Sequence, residues 1–142
     1  MQVFIPYSEF PKIFDSLDYR RLGKQRVETL QLLNAINSRK NNDYGKGWVN
    51  HPATKMWANH AHFLAFYGVS CCLAWRKRGY ADSLLPHFLN TLEQCPMIIP
   101  PEWWGRPDIH NSHRSMLLQK DPEHYANYKA HTTMVDNYVW CL

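Results

Sequence analysis

The sequence predicts an all-α fold, a compact single-domain helical bundle with an extended N-terminal arm, and three observations predict it. Apolar residues recur at three- and four-residue spacings through long segments. Several segments open on Ser, Asp or Asn with a proline close behind, the pattern of a capped helix start. The longest closes on basic residues and a glycine, WRKRG at 75–79. With 142 residues, 45% of them hydrophobic and 20% charged, one domain can bury a core without metal or disulfide staples. No repeat, low-complexity tract or domain boundary divides the chain.

Taken in order, residues 2–6, QVFIP, are apolar and stopped by Pro6, which reads as an extended arm or one edge strand. Ser8 can cap a short helix to about Leu17. The next helix runs over 18–38 and contains Gly23, at a cost of about 1 kcal/mol against alanine. Either that glycine breaks the helix, or another helix or a ligand approaches the backbone there. Residues 39–49, RKNNDYGKGWV, are a loop on composition. Asn50 then caps a single long helix to Arg78, with Pro52 near its first position and Gly79 ending it. Its Met56, Phe63, Tyr67 and Ala74 form an apolar stripe, while His51, Lys55 and His62 stack on another side. A further helix over 81–94 follows, then a proline-rich loop over 95–111 that is too apolar for a linker. Ser112 caps a helix over 113–119, Asp121 caps the last one, and the aromatic tail YVWCL returns to the core.

The helix over 18–38 is the most informative. At about 100° per residue, Arg20, Arg21, Lys24, Glu28 and Gln31 share one polar arc, with Leu22, Leu30, Leu33 and Ile36 roughly opposite. One carboxylate therefore stands in a basic face. That suits a protein that grips a polyanion and sets an acid against it, and equally a surface helix with an ordinary Lys24–Glu28 ion pair. The net charge of +4 favours an anionic partner. Further basic clusters, Arg76 to Arg78 and Arg106, His113, Arg114 and Lys120, are interleaved with Trp48, Trp57, Trp103 and Trp104. Charge for phosphates and flat rings for unstacked bases are what a nucleic-acid site needs, though buried tryptophans give the same counts.

Other chemistries find little support. His60 and His62 at i, i+2 point about 200° apart, and His110 and His113 lack a third ligand, so no metal is expected. No GxGxxG, GxxxxGK[ST], GxSxG or HExxH occurs, and no cofactor is expected. Cys71, Cys72, Cys95 and Cys141 form no CxxC pair and read as reduced thiols of an intracellular protein. No apolar run approaches 18 residues and no leader pattern opens the chain, so no membrane association is expected.

The segments RLGKQRVE (21–28), NHPATKMW (50–57), WRKRGY (75–80) and SHRSMLLQKDPEHY (112–125), with the aromatic C-terminus, give the chain its resemblance to a known family. It resembles the small all-helical pyrimidine-dimer DNA glycosylases of the phage endonuclease V type. The resemblance implies a monomeric, cofactor-free enzyme on double-stranded DNA, both glycosylase and abasic-site lyase. Its N-terminal α-amine attacks the sugar C1′, a Schiff base forms, and β-elimination cuts the strand. An α-amine with a pKa of about 7.7–8.0 is neutral in useful fraction near pH 7. A carboxylate stabilises the cationic sugar and moves protons. Carried onto this chain, the nucleophile is the amine of Met1, retained because Gln2 is bulky. The acid is Glu28, although a gapless match sets Gln25 or Gly23 at the family's glutamate. Arg20, Arg21, Lys24, Arg26, His51, Lys55, His113, Arg114 and Lys120 are the expected DNA contacts. If Gln25 replaces the acid, a DNA-binding protein without catalysis remains, or an enzyme for a hypermodified base.

Overall fold

The computed structural model describes residues 2–45, 47–94 and 97–142. Its elements are α1 (Phe10–Ser16), α2 (Tyr19–Lys40), a 3₁₀ turn (Gly47–Asn50), α3 (Pro52–Trp57), α4 (Ala61–Lys77), α5 (Leu85–Glu93), α6 (Pro107–Lys120) and a second 3₁₀ turn (Ala126–His131). The fold is all-α, with no strand among the described residues. None of its described helices is long and apolar enough to cross a membrane.

Helix α2 starts where Asp18 accepts the Arg21 N–H; it buries Leu22, Leu32, Leu33 and Ile36 in the core and packs against α4, α3 and the first 3₁₀ turn. The polar arc behaves as expected, since Arg20, Lys24 and Gln31 are exposed and Arg21 and Glu28 half-buried. Gly23 is explained by a neighbouring helix: a Cβ there would lie 2.9 Å from the Trp75 ring of α4. At Gly68 a Cβ would lie 2.5 Å from the Phe88 ring, which lets α5 seat on α4.

Several boundaries differ from the sequence reading. The long helix expected from Asn50 to Arg78 is two helices. His51, not Asn50, caps α3 by accepting the Ala53 N–H at 3.0 Å, and the chain turns at residues 58–60, where the His60 N–H reaches the Trp57 carbonyl. The turn swings Trp57 into an aromatic cluster with Phe63, Trp103 and Trp104, and burial of so large a ring outweighs an uninterrupted helix. Glu9 rather than Ser8 precedes α1. Helix α6 starts at Pro107, leaving Ser112 inside it with its hydroxyl bonded to the Ile109 carbonyl. After Asp121 the chain forms a 3₁₀ turn, not an α-helix. The tail does return, as Tyr138, Val139 and Trp140 pack on the core.

Candidate active site

The arm is an extended segment buried among α2, α4 and α6, with residues 2–6 all buried. An unpaired extended backbone in a protein interior must find side-chain partners for its peptide groups. Here it finds one for almost every group. Gln25 of α2 accepts the Phe4 N–H at 2.9 Å and donates to the Gln2 carbonyl at 2.9 Å. The Tyr67 hydroxyl lies 2.7 Å from the Phe4 carbonyl and 2.9 Å from Gln25 Oε1. His113 Nδ1 accepts the Ile5 N–H at 3.1 Å, and His110 Nδ1 donates to the Ile5 carbonyl at 2.8 Å. Arg114 donates to the Pro6 carbonyl at 2.7 Å.

At the head of the arm, the Gln2 N–H donates to Glu28 Oε2 at 3.1 Å. This contact opens onto a cavity of about 390 Å³ lined by Gln2, Phe4, Arg21, Lys24, Gln25, Glu28, Lys120 and Tyr138. The one carboxylate among these side chains faces three cations. No Lys24–Glu28 bridge occurs among the ion pairs of the described residues, so the ordinary i, i+4 pairing does not account for Glu28. Two further groups in the wall are buried without a protein partner, Gln2 Nε2 and the Tyr138 hydroxyl. Burial pushes the Tyr138 phenol up to about 12, so it stays a donor at neutral pH. Burial also lowers the Lys120 ammonium, helped by Arg21 and Lys24 and opposed by Glu28. A larger groove of about 640 Å³ beside Phe10, Phe63, Phe66 and Trp104 is apolar and gathers no comparable polar set.

The expected site residues divide accordingly. Arg21, Lys24, Glu28 and Lys120 meet in the cavity, with Arg20 exposed one step away. Gln25 is fully buried and committed at both ends, which makes it a clamp of the arm. Arg26 does not point to solvent: it pairs with the buried Asp82 carboxylate and stacks over Trp75 at 4.9 Å, tying α2 to the start of α5. His113 is 2% exposed and holds the arm, so it offers no surface to DNA. The Arg114 guanidinium is taken by the Pro6 and His131 carbonyls and the Thr132 hydroxyl. His51 is spent as a helix cap, its ring against Trp48 and Trp140, and burial lowers its pKa. Lys55 is exposed on α3, outside the cavity lining. Met1 lies outside the described residues.

Sequence reading missed Gln2, Tyr67, His110 and Tyr138. The apolar QVFIP reads as an arm or an edge strand, but the partners of its peptide groups lie 21 to 108 residues away in the chain, and no local spacing encodes them.

The His113 contact predicts an acid limit to stability. As acceptor at Nδ1 the ring is neutral, and burial pushes its pKa down to about 3, against 6.5 when free. The folded pKa lies below the unfolded one, so the unfolded chain binds the extra proton between these values. The stabilisation is fully present above pH 6.5 and is lost as pH falls toward 3, on the order of 5 kcal/mol in all. Denaturant midpoints measured from pH 7 to 4 should fall, and fall less in His113→Gln than in the parent.

A family model described as pyrimidine dimer DNA glycosylase matches residues 1–85. That span contains the arm, α2 and Glu28. Searches among curated proteins and among solved structures find no match.

Proposed function

Since the chain belongs to the pyrimidine dimer DNA glycosylase family, we propose that the cavity at Glu28 is its active site and that it joins glycosylase to abasic-site lyase chemistry through an amine. The observation that carries this reading is the Gln2 N–H to Glu28 contact at 3.1 Å. The α-amine at Met1 is three covalent bonds from that nitrogen, and this reading takes it as the nucleophile. The neutral amine attacks C1′ and the damaged base leaves with the proton that the amine gives up; the C1′–O4′ bond then breaks, O4′ takes a proton, and a protonated imine remains. Glu28 stabilises the cationic sugar and then takes the C2′ proton. The C3′–O bond breaks with the phosphate leaving, and water releases the amine. Arg21 and Lys24, with Arg20 beside them, hold the flanking phosphates. Gln2 Nε2 and the Tyr138 hydroxyl supply unspent donors for the opened nucleotide.

Ultraviolet-irradiated and abasic duplexes incubated with the protein and sodium borohydride test this directly. A covalent protein–DNA adduct is expected with both, and none at any pH from about 6 to 9, where an α-amine is partly neutral, would sink the imine route. Arg21→Ala and Lys24→Ala should each weaken duplex binding and reduce the salt slope by roughly one ion. Slopes unchanged in both would mean that α2 does not face the phosphates.

The same fold without catalysis is the competing reading. It predicts salt-dependent duplex binding that Glu28→Gln retains, with no strand cut by the parent on any pyrimidine lesion or hypermodified base.

A further inference from the structure

Of the six tryptophans, only Trp48 is exposed, at 44%. It stands on the 3₁₀ turn ahead of α3, and the turn is pinned around it. The Trp48 carbonyl accepts the His51 N–H at 3.1 Å and the Thr54 hydroxyl at 2.6 Å. The next residue, Val49, is buried, and Arg39 donates to its carbonyl at 3.0 Å. Folding gains little from holding an indole in water. A ring fixed in place before a ligand arrives, by contrast, loses little freedom on binding one. The charge around it favours an anion: residues 39–55 carry Arg39, Lys40, Lys46 and Lys55 against the single acid Asp43. The Arg39 guanidinium also lies over the exposed Tyr44 ring, 5.4 Å from its centroid.

A line of ring contacts joins this turn to the Glu28 cavity. Trp48 meets His51 edge-on at 5.2 Å between centroids, His51 meets Trp140 at 6.2 Å, and Trp140 meets Tyr138 of the cavity wall at 5.7 Å. End to end the line measures at most about 17 Å, the length of about five nucleotides at about 3.4 Å per step. We propose that Trp48 is the stacking platform for a base unstacked within about five nucleotides of the opened one, on a strand that leaves the cavity along Trp140 and His51. The exposed Lys40 and Lys55 meet the phosphates of that strand. The inference rests on the reading of the Glu28 cavity as the seat of the opened nucleotide. Every base has a flat face, so this contact strengthens the grip on distorted DNA without reading its sequence. Trp57 and Trp103, buried in the aromatic cluster of the core, offer no such surface.

Duplexes carrying a tetrahydrofuran abasic analogue, which forms no imine, test this across a salt series. Trp48→Ala should bind roughly 5- to 100-fold more weakly at every salt concentration while keeping the parent's slope, the mark of lost stacking rather than lost ion release. Trp48→Phe, which keeps a flat ring, should recover most of the affinity, and thermal melts of both variants should match the parent's. A 2-aminopurine is then placed in turn at roughly five positions on either side of the analogue. At one or more of them its emission at saturation should be higher with Trp48→Ala than with the parent, because the ring that quenches it by stacking is gone. Parent-like affinity and emission in Trp48→Ala, or equal losses in Trp48→Phe and Trp48→Ala, overturn the inference and leave the cavity reading standing. A parent that binds neither the analogue duplex nor an irradiated one more tightly than intact DNA overturns both.

Discussion

A Glu28→Gln variant is expected to bind duplex DNA with the parent's salt slope while cutting it roughly 10²- to 10⁴-fold more slowly, the range for losing a positioned acid–base group. The substitution is nearly isosteric, and the glutamine oxygen can still accept the Gln2 N–H now held at 3.1 Å. The arm should therefore stay seated, and thermal melts should match the parent's closely. What is lost is the negative charge: Arg21 keeps its pairing with Asp18, but no carboxylate of the cavity then offsets Lys24 and Lys120 when the sugar becomes cationic, and no base takes the C2′ proton. Cutting rates on an abasic duplex, compared under single-turnover conditions, check this. Parent-like cutting would mean that Glu28 merely anchors the arm.

The second large effect belongs to Gln25. A Gln25→Leu variant leaves the buried Phe4 N–H and Gln2 carbonyl without partners and takes an acceptor from Tyr67. At about 1–3 kcal/mol for each of the two unsatisfied buried groups, the loss is roughly 2–6 kcal/mol. For a chain of this size that lowers Tm by on the order of 10 °C. Because the arm floors the cavity, activity should fall with stability and recover partly on cooling. Gln25→Glu should be destabilised as well, since it removes the donor to the Gln2 carbonyl and buries a charge. A gain of activity in that variant would put the family's acid at position 25; parent-like melting of Gln25→Leu would mean that the arm is held by α6 alone.

Legibility differed sharply between these two residues. Glu28 was visible because its helix repeats every 3.6 residues, and a lone acid in a basic arc stands out by counting alone. Gln25 lies on the same helix, yet periodicity says only that a glutamine there is turned toward the core. Its role depends on the arm, whose peptide groups it meets 21 and 23 residues away in sequence. Arg26 illustrates the converse. Counted with the basic cluster, it reads as a phosphate contact. The fold instead brings Asp82 against it, a pairing 56 residues apart that ties α2 to α5.

The sequence by itself determined the all-α class, the polar arc of α2, the apolar character of the arm and the single acid within a basic face. Those properties follow from composition and from spacing along one helix, where neighbours in sequence are neighbours in space. Only the tertiary structure decided which cations surround Glu28, that His113, Arg114 and Gln25 serve the arm, and that α3 and α4 separate to bury Trp57. The reason is physical. An extended backbone in the interior takes its hydrogen-bond partners from whichever helices pack around it, and that packing depends on contacts between elements far apart along the chain.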